Sequence, residues 1–402
     1  MTGARSLAIL GATPRFENPL QVGQFYWPRW EGYETAVRDI FSRRFYTSQR
    51  FAGPLVVEFQ RRLEEFLGVK HVVVVRNATN ALMIATHTLG LRGKVIVPSW
   101  TFIATVQALI WAKCQPVFCD IDLETQQMSM PSVRRLLEGG GIDGILGVHL
   151  WGNALPVGEL DSLAEAYGVP VYYDAAQAFG CRVGERAIGA FGRAEVFSFQ
   201  AANILSTAEG GCLATNDDAL ATKFLAMRGD HVPGGGVSLQ SATARLSEIQ
   251  AAIGLMILDD FDRIRRNNEE QHRCYESCLG SVPGIRVLTP SGATISNFQH
   301  LVAVVEPAKF GLTRDELLSV LKAENIVAER QFHPSAHLVS PFSAIALDPG
   351  QLCNTARAAE GTFQLPLGAR VTVDRIERIC DVIHAAHHHA GSLRPVLAAP
   401  AV

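Results

Sequence analysis

Between His71 and Thr215 short apolar runs alternate with segments of helical length, and this alternation limits the fold more than any other feature of the chain. The apolar runs are 71–75, 94–98, 117–120, 144–149, 169–173, 195–199 and 211–215. Helical spacing is expected over 80–89, 101–112, 131–137 and 159–167 between them. Strands that alternate with helices build a mainly parallel sheet covered on both faces. Ligands of such sheets sit just beyond the carboxyl ends of the strands. The run at 169–173 leads into Asp174 and then Gln177, and the run at 195–199 carries Ser198 near its end. All three side chains are therefore expected to face one crevice.

The flanking segments predict less regular structure. Residues 1–50 read as an irregular, aromatic-rich arm belonging to the large domain, with Phe16, Phe25, Tyr26, Trp27, Trp30, Phe41, Phe45 and Tyr46. Exposed, such an arm needs a surface to cover, its own domain or a second subunit. A helix is expected over 54–67, closed by Gly68. A long helix is expected over 242–262, after a loop at 230–237 that holds the glycine run 234–236. From about residue 265 the pattern changes to antiparallel strands at 285–289 and 300–305 and a helix at 314–324 capped by Thr313. A strand at 326–332 and a closing helix at 373–388 complete it. The expected fold class is thus α/β: an arm (1–50), a large domain with a seven-stranded mainly parallel sheet (51–262) and a small C-terminal α+β domain (263–402).

Composition excludes several classes of function. A net charge of −3 leaves no electrostatic footprint for nucleic acid. No apolar run approaches the length of a membrane span, and the N-terminus does not read as a signal peptide, so a cytoplasmic protein is expected. The eight cysteines show no metal spacing and read as reduced thiols. His387–His389 read as a solvated tail rather than a metal site, since consecutive residues do not share a helix face. Lysine is scarce, occurring only at 70, 94, 113, 223, 309 and 322.

Three groups of residues carry chemistry. Asn77, Ala78 and Thr79 lie between a strand and a helix, where backbone N–H groups form a ready anion site; Asn and Thr there are also ordinary caps. Asp174 ends a buried strand, and a carboxylate in that position is costly unless paired. His149 ends another strand, and His333 and His337 lie in ERQFHPSAH (329–337).

The motifs DAAQ (174–177), GPLVVEFQRRLEEFLGVKH (53–71), NATNAL (77–82), VIVPSWTFIAT (95–105), PVFCDID (116–122), GVHLWG (147–152), RLSEIQAAIGL (245–255) and LPL (365–367) span nearly the whole chain. Together with the Ser198-Phe199 pair and GluGlyGly at 209–211, they resemble the DegT/DnrJ/EryC1/StrS sugar aminotransferases. The resemblance implies fold-type I architecture, pyridoxal phosphate (PLP) as cofactor and a homodimer. It implies that Ala78, Thr79 and Ser198 hold the cofactor phosphate and that Asp174 pairs with the pyridine nitrogen. Gln177 would bond the phenolic oxygen and Phe102 would stack on the ring, with Trp100 as the alternative. It also exposes a departure: the Schiff-base lysine of the family falls at Asn203. Gln200 replaces a frequent His, and Thr243 replaces an Asn that reaches the neighbouring subunit's cofactor phosphate.

An amide nitrogen is not basic and does not condense stably with an aldehyde. Three readings follow. The protein binds PLP or pyridoxamine phosphate (PMP) non-covalently and acts on a keto-sugar nucleotide or related natural-product intermediate, with His149 or His333 available as bases. Alternatively it is a non-catalytic homologue with a structural or regulatory role. In the third reading it is a PLP-independent enzyme that reuses the fold.

Overall fold

A computed structural model describes residues 7–24, 26–46, 52–230, 241–345 and 351–397. Phe25 and the glycine run at 234–236 lie outside the described residues.

The chain opens with β1 (Leu20–Gln21), α1 (Trp30–Arg43) and α2 (Pro54–Leu67). The alternating region follows: β2 (His71–Val75), α3 (Ala78–Thr88), β3 (Lys94–Pro98), α4 (Ile103–Trp111), β4 (Gln115–Cys119), α5 (Met130–Glu138), β5 (Ile142–Val148), α6 (Val157–Tyr167) and β6 (Val171–Asp174). A hairpin of β7 (Arg182–Val183) and β8 (Arg186–Ala187) precedes β9 (Glu195–Ser198), β10 (Gly211–Thr215), α7 (Asp218–Arg228), α8 (Glu248–Asp259) and α9 (Phe261–Leu279). The last part holds β11 (Ile285–Val287), β12 (Leu301–Val305), α10 (Pro307–Phe310), α11 (Arg314–Ala323), β13 (Ile326–Val327), β14 (Glu329–Arg330), α12 (Cys353–Gly361), β15 (Thr362–Leu365), α13 (Val373–His388) and α14 (Ala390–Leu397).

Seven strands form one sheet in the order β2-β10-β9-β6-β5-β3-β4. Only β10 runs against its neighbours. The apolar runs dictate this arrangement. In β2, Val72 and Val74 join the core on one face, and Val73 and Val75 join the core on the other. A strand apolar on both sides has to sit between two helical layers. The second sheet, β11-β12-β15-β14, is antiparallel and carries its own core.

Several expectations are corrected. Helix α8 begins at Glu248 rather than at 242, because Ser247 and Gln250 close a capping box there. It ends at Asp259, and α9 starts at Phe261. Phe261 and Ile264 of α9 pack in the first core while Tyr275 and Leu279 pack in the second, so the expected boundary at 262 falls just inside a helix that serves both. The arm is not a single unit of the large domain. Leu7, Phe16 and Leu20 are buried in the C-terminal core, and β1 pairs with β13. Residues 30–43, expected to be irregular, form α1, where Ile40 alone is buried and Arg38–Glu34 and Arg43–Asp39 pairs at 2.7 Å line the exposed face. The strand expected over 326–332 divides into β13 and β14, which pair with different partners. His387 is part of α13, and its Nδ1 lies 2.9 Å from the Phe310 carbonyl oxygen.

Candidate active site at the carboxyl edge of the sheet

Asp174 is the last residue of β6, opposite Val196 of β9. Its side chain shares a face with that of Tyr172 and points at α4. Its Oδ2 accepts a hydrogen bond from Thr105 Oγ1 at 2.7 Å, and its Oδ1 accepts one from the Ala176 N–H at 3.1 Å. Thr105 is held in turn by Thr101 Oγ1 at 2.9 Å. The carboxyl group is buried, and burial pushes its pKa up against the lowering effect of these two bonds and, less, of the electrostatic pull of His149. No Lys, Arg or His forms an ion pair with Asp174 among the described residues. A buried carboxylate with two neutral donors and no cation is an incomplete arrangement.

The neighbouring strand ends complete a cradle. Asn77 caps α3 by accepting from the Asn80 N–H at 2.8 Å. The helix start presses so closely on β10 that a Cβ on Gly211 would lie 2.8 Å from the Ala78 nitrogen and 2.7 Å from the Phe197 carbonyl oxygen. Gly211 is level with Val75 on one side and Ser198 on the other. The half-buried Ala78, Thr79 and Ser198 therefore meet at one point of the edge. Gln177 accepts the Trp151 N–H at 2.9 Å through Oε1, which leaves its NH2 as a donor. Phe102 is 61% exposed at the N-cap of α4. Trp100 is fully buried, its indole N–H donating to Gln126 Oε1 at 3.1 Å, so it cannot stack on a ligand.

Asn203 lies in the loop after β9, and its carboxamide is committed at both ends. Nδ2 donates to the Ser198 carbonyl at 3.0 Å, and Oδ1 accepts from Gln299 Nε2 at 2.8 Å. Gln299 is oriented by the Ile204 N–H, which donates to its Oε1 at 2.9 Å. Its NH2 therefore faces both Asn203 and His300 Nε2, the latter at 2.9 Å. His300 Nδ1 lies 3.2 Å from the Gln364 Nε2, so both ring nitrogens face amide NH2 donors. Burial pushes the His300 pKa down to about 4, so the ring is neutral near pH 7.

A cleft of about 140 Å³ opens on this network. Its walls carry the carboxamides of Gln24, Asn203, Asn268, Gln299, Gln331 and Gln364, together with Glu329 and Tyr26. No lysine lines it. Carboxamides offer a donor and an acceptor at fixed spacing, which suits a neutral polyhydroxylated ligand.

Two histidines do not stand where the sequence places them. His149 is fully buried on the opposite face of the sheet from Asp174. Its Nδ1 accepts the Leu155 N–H at 3.2 Å, its Nε2 lies 3.5 Å from Glu195 Oε2, and its ring centroid is 5.0 Å from that of Tyr173. Strand parity is the reason: a shift of one residue moves a side chain to the other face. His333 is exposed beside the segment that does reach the cleft, through Glu329 and Gln331. His337 is buried and bonds Ser99 Oγ at 2.6 Å through Nδ1, a tie between the C-terminal part and the sheet edge. Thr105, Gln299, His300 and Gln364 were not singled out in the sequence. What ties them to the site lies far away in the chain, 96 residues in the case of Asn203 and Gln299, and no local pattern marks them.

Thr243 is exposed, with φ at +43°. A β-branched residue is strained in this left-handed region, which asparagine tolerates. Thr243→Asn is expected to stabilise the protein by about 1 kcal/mol, seen as a higher midpoint of denaturant unfolding. An unchanged or lower midpoint would show that the strain is absent.

Residues 35–384 match the model of the DegT/DnrJ/EryC1/StrS aminotransferase family. A dTDP-4-amino-4,6-dideoxy-D-glucose transaminase of Shigella dysenteriae is 31% identical over 91% of this chain and 99% of its own. A GDP-perosamine synthase of Vibrio cholerae is 28% identical over 82% and 90%. Among solved structures, DesI in the presence of its TDP-sugar product superposes with a TM-score of 0.91 at 33% identity, covering 97% of this chain and 98% of that one.

Proposed function

The chain belongs to the DegT/DnrJ/EryC1/StrS aminotransferase family, whose cofactor is PLP or its amine form PMP, and we propose that it holds that cofactor without a covalent link and acts on a nucleotide-linked keto-sugar. The observation that carries the proposal is the buried carboxylate of Asp174, which forms no ion pair among the described residues and is held by two neutral donors. A pyridinium N–H is the charge it fits. The free donors of Gln177, the exposed face of Phe102 and the Ala78–Thr79–Ser198 cradle match the other edges of the same ring.

When bound, the cofactor supplies an electron sink for chemistry next to an amine or carbonyl carbon. The protein's part is to bind and orient. Asp174 keeps a proton on the ring nitrogen. Ala78 and Thr79 offer backbone N–H groups, and Ser198 offers a hydroxyl, to the phosphate. Asn203, closed on Ser198 and Gln299, neither forms a covalent link nor carries a proton. The amide walls position sugar hydroxyls, and neutral His300 fixes the orientation of Gln299 rather than acting as a strong base. The two first-named relatives motivate the substrate class, since their names specify nucleotide-linked sugars.

A homodimer belongs to the same reading. Phe102, Trp27 and Trp30 are 61%, 56% and 66% exposed, a large apolar surface at the site and along the arm. Light scattering after size exclusion should give twice the chain mass at micromolar concentration; a monomer would exclude a site completed by a second copy.

Titration calorimetry with PMP tests the cofactor reading. Saturable binding with a Kd in the micromolar range is expected. No heat at millimolar PMP would favour the second reading, a non-catalytic homologue, which draws on the full commitment of the Asn203 amide to the protein itself.

A further inference from the structure

We infer that Trp151 is a positioning residue: clamped by Gln126, it fixes the amide of Gln177 for the cofactor and ties that amide to the His300 end of the cleft. The inference rests on the reading of the site as one for PLP or PMP.

The backbone sets the Gln177 amide. Trp151 lies in the loop after β5 with φ at +64°. A bulky side chain in the left-handed region is an outlier that persists only where its surroundings hold it. Here the conformation directs the Trp151 N–H at Gln177 Oε1, 2.9 Å away. That bond decides which end of the Gln177 amide is left for a ligand. With Oε1 occupied, the NH2 is the end that can donate to an oxygen. In the right-handed region the same N–H would point elsewhere, and Gln177 would be free to turn.

The side chain supplies the hold. The Trp151 indole N–H donates to Gln126 Oε1 at 3.0 Å, and the Trp100 indole N–H donates to the same oxygen at 3.1 Å. Gln126 is itself fully buried, with φ at +56°, and its Nε2 donates to Thr362 Oγ1 at 2.7 Å. A buried amide bonded at both ends cannot turn over without leaving polar groups unpaired. The Trp151 ring stacks on Phe332, with centroids 5.2 Å apart and planes at 19°, and meets the His300 ring edge-on at 5.7 Å and 84°. Phe332 follows β14, and Thr362 begins β15, the strand that carries Gln364. Trp151 thus touches Gln177 on one side and, on the other, His300, whose neighbour Gln299 holds Asn203.

Calorimetry with PMP on the full-length protein tests this through a double-variant cycle. Trp151→Phe keeps an aromatic ring and removes the donor to Gln126. It should weaken PMP binding about tenfold when Gln177 is present. When Gln177 is already alanine it should cost less than about twofold, because the loss passes through Gln177. A second readout follows the near-ultraviolet band of bound PMP with pH. An NH2 donor on the phenolic oxygen favours its ionised form, so Trp151→Phe and Gln177→Ala should each move that titration to higher pH. Retained binding by the double variant reports that the fold survives the Phe ring. Losses that add across the cycle, or an unmoved titration in Trp151→Phe, overturn the inference and leave the cofactor reading standing. No binding of PMP to the wild type overturns both.

Discussion

Asn203→Lys is expected to convert a protein with no covalent link to PLP into one that carries a borohydride-reducible adduct at residue 203. The change is from none to near-stoichiometric, read as the mass of one cofactor on the peptide that spans 199–209. Position 203 sits five residues beyond Ser198, and its side chain already touches the Ser198 carbonyl, so an amine there enters the cradle. Burial favours the neutral, reactive amine. The variant also loses two hydrogen bonds, Asn203 Nδ2 to Ser198 and Gln299 Nε2 to Asn203 Oδ1, a destabilisation of roughly 1–3 kcal/mol. Gln299 would then direct an N–H at an alkyl chain. Transamination is not expected to follow from this change alone, because Gln200 and Thr243 also depart from the family pattern. An unmodified variant that still binds PMP would place the lysine-equivalent position elsewhere in the loop.

Asp174→Asn should weaken PMP binding by about 10²–10⁴-fold, the scale of roughly 3–5 kcal/mol for removing one partner of a buried charge pair. Its effect on the cofactor-free protein should have the opposite sign. Burial raises the Asp174 pKa above its unfolded value. That shift adds no stability at neutral pH: the protein is favoured below the unfolded carboxyl value, and the increment is lost as pH rises through the folded value. Asparagine keeps the shape and removes the charge, so the cofactor-free variant should melt at or above the wild-type temperature near pH 7. The rise in melting temperature that PMP gives the wild type should disappear. A variant that binds PMP as tightly as the wild type would remove Asp174 from the site.

The parts of the site legible in the sequence are those at strand ends within the alternating region. Asp174, Gln177, Ser198 and the start of α3 follow from where the apolar runs stop, whereas the close approach of α3 to Gly211 in the GluGlyGly turn shows only in the structure. Choices that depend on parity or burial were less legible. His149 and Asp174 both terminate apolar runs, yet one residue of register puts them on opposite faces. Trp100 and Phe102 are both aromatic candidates in one short motif, and the burial of Trp100 with its indole bonded to Gln126 withdraws the former. Gln299, His300 and Gln364 come from the antiparallel sheet, whose pairing with the Asn203 loop has no local signature. The arm misled for a related reason: Leu7, Phe16 and Leu20 are buried by β-strands and helices some 300 residues later.

The most direct test of non-covalent cofactor binding is one experiment on the wild-type protein. PLP is added, unbound cofactor is removed under native conditions, and the sample is divided. One half is denatured untreated, and the other is reduced with borohydride before denaturation, with intact mass measured on both. Cofactor retained by the native protein, with the unmodified chain mass in both halves, is the expected result. An added cofactor mass at a specific lysine after reduction, or no cofactor retained at all, would contradict it.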